Sequence, residues 1–260
     1  MLVGAMNHPM RDVIQEIRTF RDMGFDFIDL TLEPEGARAS KLDLIAVSGI
    51  LQETGLRAVG HTPWYLPIGS PFDSVRQAAL DELTRCLDAF ARLGISPVNI
   101  HPDPRAPLYD HQWIIWRNTE SLRYLAERAT ERGLQLMVEN IPGLFNLPEV
   151  LAAVLDAVPS LGWHLDVGHA NLGNPTNLTG QLLETLGRRL LHVHLSDNRG
   201  GDLDLHLPLG AGAIDWPWVI RLLKRTGFDG TITLEVFSSD REYLAVSRRK
   251  LLRLWSENSA

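Results

Sequence analysis

The chain has 260 residues, 45% of them hydrophobic and 22% charged, with a formal net charge of −7 and a single cysteine, Cys86. This balance excludes an intramolecular disulfide framework and argues against a broad nucleic-acid face, which needs clustered Lys and Arg. No run of about 18 apolar residues is present to span a bilayer, and the opening MLVGAMNHPM has no basic flank before an apolar stretch to mark a secretory signal. The cytoplasm is therefore the expected compartment. The length suits one domain over residues 1–260, because a barrel of eight strand-helix units runs to about 250 residues.

From the start, short β-rich runs alternate with longer helical patterns. The predicted strands are Leu2–Asn7, Phe25–Leu32, Leu56–Thr62, Val98–His101, Gln135–Asn140, Gly162–Val167, Leu190–Ser196 and Thr231–Phe237. Helices are predicted near Met10–Met23, Ser40–Thr54, Phe72–Leu93, His111–Arg132, Leu147–Ala157, Leu178–Leu186, Trp216–Thr226 and Ser239–Trp255. Glycine-containing turns such as TGL at 54–56 and LGI at 93–95 stop helices just before the next strand. Repeated strand-helix units with right-handed crossovers predict an α/β fold, a single (β/α)8 TIM barrel with parallel strands.

The densest stretch is Leu190–Gly212, with three histidines and three aspartates around a glycine-rich turn. As a strand, Leu191, Val193 and Leu195 face one way while His192, His194 and Ser196 face the other. The same alternation brings Glu33, His61, His101, Glu139, Asp166, His194 and Glu235 to the ends of the second to eighth strands, where such a barrel builds its site. Asn7 and His8 close the first. Carboxylates and imidazoles that converge in a partly dry cavity repel or lose charge unless a cation joins them. A Glu, Asp, His, Glu set suits Zn²⁺, Mn²⁺, Mg²⁺ or Co²⁺. Trp64 and Tyr65 could wall a sugar pocket or simply pack a loop, Arg199 or Arg105 could hold a phosphate, and Glu33 could bind hydroxyls or cap a helix. Cys86, in an apolar helical pattern, reads as a core residue.

The motifs HTPWYLPIGSP at 61–71, NIHPDP at 99–104, VEN at 138–140, LDVGHA at 165–170, HLSDN at 194–198, DLHLPLGAG at 204–212 and LEVF at 234–237 resemble the xylose isomerase-like superfamily over nearly the whole chain. That superfamily holds sugar isomerases and epimerases, related dehydratases and endonuclease IV. Its mononuclear epimerase pattern implies Glu139, Asp166, His194 and Glu235 as metal ligands, with His169 touching substrate. Its trinuclear zinc pattern implies His61, His101, Glu139, Asp166, His169, His194, Asp204, His206 and Glu235. Ala211 stands where the family usually has a glutamate.

Two enzymatic readings follow. The first is a divalent-metal-dependent isomerase or epimerase of a small sugar, polyol or sugar phosphate, in which Glu139 and Glu235 are the catalytic pair that exchanges a proton through an enediolate, and Glu33, Trp64, His169 and Arg199 bind substrate. The alternative is a di- or trinuclear zinc phosphoesterase of the endonuclease IV type. A third reading, a degenerate barrel that only binds a ligand, leaves the filled ligand set without a purpose. The expected partner is a small carbohydrate, with no membrane and no nucleic acid; the oligomeric state stays open.

Overall fold

The computed structural model describes residues 1–259. The strands are β1 Leu2–Met6, β2 Phe27–Thr31, β3 Arg57–His61, β4 Val98–Ile100, β5 Leu136–Glu139, β6 Gly162–Asp166, β7 Leu190–Leu195 and β8 Thr231–Leu234. The helices are α1 Val13–Asp22, α2 Leu44–Thr54, α3 Asp73–Leu93, α4 His111–Thr130, α5 Pro148–Ala157, α6 Val167–Ala170, α7 Thr179–Leu186, α8 Trp216–Arg225 and α9 Glu242–Glu257. The strands close in chain order into the parallel (β/α)8 barrel that the alternating pattern predicts. Among the described residues, no helix is long and apolar enough to cross a membrane.

At several element ends that differ from the sequence reading, a specific hydrogen bond sets the boundary. The helices expected from Met10 and Ser40 begin later, because Asp12 accepts from the Gln15 N–H and Asp43 accepts from those of Ile45 and Ala46. The sixth strand stops one residue early, since the Asp166 carboxylate accepts from the His169 N–H at 2.6 Å and starts α6. The eighth stops at Leu234, and beyond it the Phe237 N–H turns to the His206 carbonyl. The glycine stops hold: Gly55 and Gly94 end α2 and α3 at φ 66° and 68°, a conformation that strains any residue with a Cβ.

The chain divides into two compact units. One comprises Met6–Glu139 and Ala153–Gly162. In it β2 to β5 pair in sequence, with Thr31 opposite His61, His61 opposite Asn99, and Asn99 opposite Met137. Its core includes Ile17, Phe20, Phe27, Leu30, Phe90, Leu122 and Leu125, each almost wholly buried. Burial of a side chain of this size contributes about 1.5–3 kcal/mol.

The other unit comprises Met1–Ala5, Asn140–Ala152 and the chain from Trp163 onward. Here β8 pairs with both β7 and β1, so that His192 lies opposite Thr231 and His194 opposite Thr233, while Asp166 on β6 is opposite His194. The aliphatics Leu165, Val193, Leu195, Ile232 and Leu234 supply the buried other side of these strands. Both His192 nitrogens meet threonine hydroxyls, Thr231 Oγ1 at 2.7 Å and Thr233 Oγ1 at 3.1 Å, so a ring at full burial keeps its hydrogen bonds.

Cys86 lies on the buried face of α3, and burial pushes its thiol up to about 12, with Glu82 adding to the effect. Only the thiolate is nucleophilic. Native protein at pH 8 should therefore resist iodoacetamide and react fully once unfolded; mass spectrometry showing prompt native labelling would contradict the placement.

Candidate functional site

Each unit gathers its own set of ligand-type side chains. In the unit that begins at Met6, the ends of β3, β4 and β5 carry His61, His101 and Glu139, all buried, with ligand atoms within 4.8 Å of one another. His101 Nε2 stands 2.9 Å from Glu139 Oε2, and the same oxygen accepts from Asn99 Nδ2 at 2.5 Å. Asp29, from the middle of β2, places Oδ1 3.6 Å from His61 Nδ1. This carboxylate-histidine pairing leaves Nε2 on the side of Asn99 Nδ2, 3.4 Å away. Burial pushes the Glu33 carboxyl up, against a smaller pull from His61 and the Trp64 N–H. Trp64 is 61% exposed and sets its ring edge-on to Tyr65 at 6.1 Å. Arg105 donates through Nε to Asp103 at 2.6 Å and through Nη2 to the Tyr65 carbonyl at 2.8 Å.

In the other unit, Asp166, His194 and Glu235 stand at the ends of β6, β7 and β8, all buried, again with ligand atoms within 4.8 Å. His194 Nδ1 is 3.3 Å from Glu235 Oε2 and 3.9 Å from Asp166 Oδ2. Beneath it the rings of His164 and His192 lie with centroids 4.1 and 5.1 Å from that of His194. Asn140 holds β6 in place, accepting from the Asp166 N–H and donating to the Asp166 carbonyl, both at 2.8 Å.

His169, Asp204 and His206 stand together in the same unit. Asp204 Oδ2 is 3.2 Å from His169 Nε2 and 3.0 Å from His206 Nε2. The opposite nitrogens face carbonyls: His169 Nδ1 that of Asn140 at 2.9 Å, and His206 Nδ1 that of Glu235 at 3.2 Å. A carbonyl only accepts, so each Nδ1 carries a proton and each Nε2 is free either to donate to the carboxylate or to bind a cation. Burial alone would lower the His206 pKa, but the charge of Glu235 and the contact with Asp204 raise it to about 9. Burial alone would raise the Asp204 carboxyl, but hydrogen bonds from His169 and His206 hold it well below the usual carboxylate range. Arg199 is exposed on the following loop.

The donor sets fit divalent ions. Each combines carboxylate with imidazole, the sets at the strand ends are buried, and with both carboxylates ionised the Asp166–His194–Glu235 set stays net negative whether its imidazole is neutral or protonated. Of the residues singled out from sequence, His61, His101 and Glu139 assemble in one unit, and Asp166, His169, His194, Asp204, His206 and Glu235 in the other. Asn99, Asn140 and Asp29 were not singled out. Asn99 and Asp29 share the strand parity of the ligands, and Asn140 ends the VEN motif, so a signal existed for each.

The family model described as xylose isomerase-like TIM barrel matches residues 17–255. The chain is 31% identical over 186 residues to an uncharacterized protein of Methanocaldococcus jannaschii, covering 65% of this chain and 63% of that protein. It is 24% identical over 257 residues to a ketose 3-epimerase of Arthrobacter globiformis, covering 92% of this chain and 82% of that enzyme. A solved Thermus thermophilus protein, TTHB071, from a crystal soaked with ZnCl2, superposes with a TM-score of 0.80 at 26% identity over the full length of both chains.

With Nδ1 on the Glu235 carbonyl, Nε2 on the Asp204 carboxylate and a pKa raised to about 9, His206 is favoured as an imidazolium in metal-free protein at neutral pH. A raised folded pKa means that its contribution to stability is complete below about 6.5, the ordinary histidine value, and is lost as the pH climbs through about 9. A ¹⁵N NMR titration of chelator-treated protein should show His206 changing charge near 9. A midpoint at or below the ordinary value would refute the proton assignment.

Proposed function

The chain belongs to the xylose isomerase-like TIM barrel family, and we propose that it is a divalent-metal-dependent epimerase or isomerase of a small sugar, polyol or sugar phosphate, acting in the cytoplasm. The observation that carries this reading is the buried set Asp166, His194 and Glu235 at the ends of three consecutive strands. The named ketose 3-epimerase relative, aligned over most of both chains, supports the substrate class.

Asp166, His194 and Glu235 would hold the ion, and the family pattern adds Glu139 as the fourth ligand. Zn²⁺, Mn²⁺, Mg²⁺ and Co²⁺ all suit carboxylate and imidazole donors. When bound, such an ion supplies positive charge that favours the enediolate form of a hydroxyketone. Glu235, 7% exposed, takes or returns the proton on the substrate carbon and exchanges it with solvent between turnovers. The family pattern assigns the second base to Glu139, whose carboxylate is oriented by Asn99 and His101. Glu33, its carboxyl raised by burial, is suited to share a proton with a substrate hydroxyl, and the exposed Trp64 ring offers an apolar face for sugar C–H groups. His169 and Arg199 complete the proposed substrate contacts.

A second reading, a di- or trinuclear zinc phosphoesterase, is favoured by two further groupings: His61, His101 and Glu139, and His169, Asp204 and His206. Metal count and proton exchange separate the two. Elemental analysis of metal-replete protein at one ion per chain, with deuterium entering keto sugars in heavy water, is the expected result. Two or three zinc ions with salt-sensitive cleavage of an abasic oligonucleotide and no deuterium uptake would replace it. Within the leading reading, Glu235→Gln should lower turnover by about 10²–10⁴-fold and weaken metal binding while circular dichroism stays unchanged. Full activity in that variant would remove Glu235 from the mechanism.

A further inference from the structure

Asp204 and His206 sit on an excursion that leaves the barrel after β7 and returns at the start of α8, and the side chain that ties its two ends together is Asp197. Its carboxylate is fully buried and accepts four N–H donors. Oδ1 takes the Asn198 N–H at 2.9 Å and the Ile214 N–H at 3.3 Å. Oδ2 takes the Gly210 N–H at 2.6 Å and the indole Nε1–H of Trp216 at 2.8 Å. The backbone of the same residue forms a two-way bridge with Leu207, at 2.9 and 2.8 Å. A charged acceptor with four donors is the strongest kind of anchor a loop can have without a metal.

Two further observations show what the anchor holds. His206, next to the Leu207 bridge, has φ 44°, a left-handed conformation that is uncommon for a residue with a Cβ. Gly212 passes so close that a Cβ there would lie 2.3 Å from Asp197 Oδ1 and 2.2 Å from the Asn198 carbonyl oxygen. The return limb is therefore pressed against the carboxylate.

We propose that Asp197 is a positioning residue: its carboxylate fixes the register of the 197–214 excursion and through it the placement of Asp204 and His206 against His169 and Glu235. The consequence for turnover rests on the epimerase reading; the consequence for ring placement does not. An amide is the sharp test, because either orientation of Asp197→Asn turns its NH2 toward two N–H donors. Trp216→Phe, which removes one donor and keeps the carboxylate, is the milder variant should the amide fail to fold. Leu182→Ala, a core truncation on α7, controls for lost stability alone.

The readouts are ¹⁵N NMR of the histidine rings in metal-free protein and steady-state kinetics on the keto sugar that exchanges deuterium. Asp197→Asn should displace the His206 and His169 ring signals and lower kcat about tenfold to a hundredfold with little change in KM, Trp216→Phe should do both to a lesser degree, and Leu182→Ala should do neither. Ring signals that coincide with wild type in both loop variants, or that move equally in Leu182→Ala, would overturn the proposal. Displaced signals with intact kcat would overturn its catalytic part. Displaced signals in a protein whose wild type never exchanges deuterium would retire the epimerase reading and leave the positioning role standing.

Discussion

Burying Asp166 and Glu235 beside His194 carries a cost, and much of the surrounding structure serves to offset it. An ionised carboxylate removed from water is destabilising by several kcal/mol unless it gains donors or a cation. Asp166 gains the His169 N–H, and its backbone is clamped on both polar groups by Asn140. Glu235 faces His194 and His206, and its carbonyl accepts from His206 Nδ1. The hydroxyls of Thr231 and Thr233 keep both nitrogens of the His192 ring hydrogen-bonded beneath His194. Preorganisation of this kind is what a site needs if charge is to be stabilised during a reaction without rearrangement at that moment.

The fold was legible because two periodicities meet in one chain. Alternation at a period of two made β7 readable as aliphatics on one side and histidines on the other, and the glycines at 55 and 94 marked helix ends by a backbone requirement that no neighbour can change. The titratable strand ends were legible for the same reason. What escaped was everything decided by a side chain bonding to distant backbone. Asp12 and Asp43 moved helix starts inward by a hydrogen bond two or three residues along the chain, and the sequence shows an aspartate there without showing whether its carboxylate turns back. Asp197 is the extreme case. Read in line it is one acid in an acid-rich loop, and only in three dimensions does it collect donors from residues 198, 210, 214 and 216.

The same distinction decides which charges near the ligand sets remain available to a substrate. Of the acids that crowd these loops in the sequence, Asp103 and Asp197 are buried and consumed internally, so the loops are less anionic toward a ligand than their composition suggests. Arg105, a candidate phosphate contact by sequence, already spends two of its donor groups on Asp103 and the Tyr65 carbonyl. A duplex substrate asks for a track of cations along its phosphates, since most of the affinity comes from them. A small hydroxylated ligand asks instead for a few fixed donors and acceptors and an apolar face. The raised carboxyl of Glu33, the exposed ring of Trp64 and the anchored pair of Asp204 and His206 are groups of that second kind. Asp103 in one unit and Asp197 in the other are each spent on holding a loop still, so neither carboxylate is left to face a ligand.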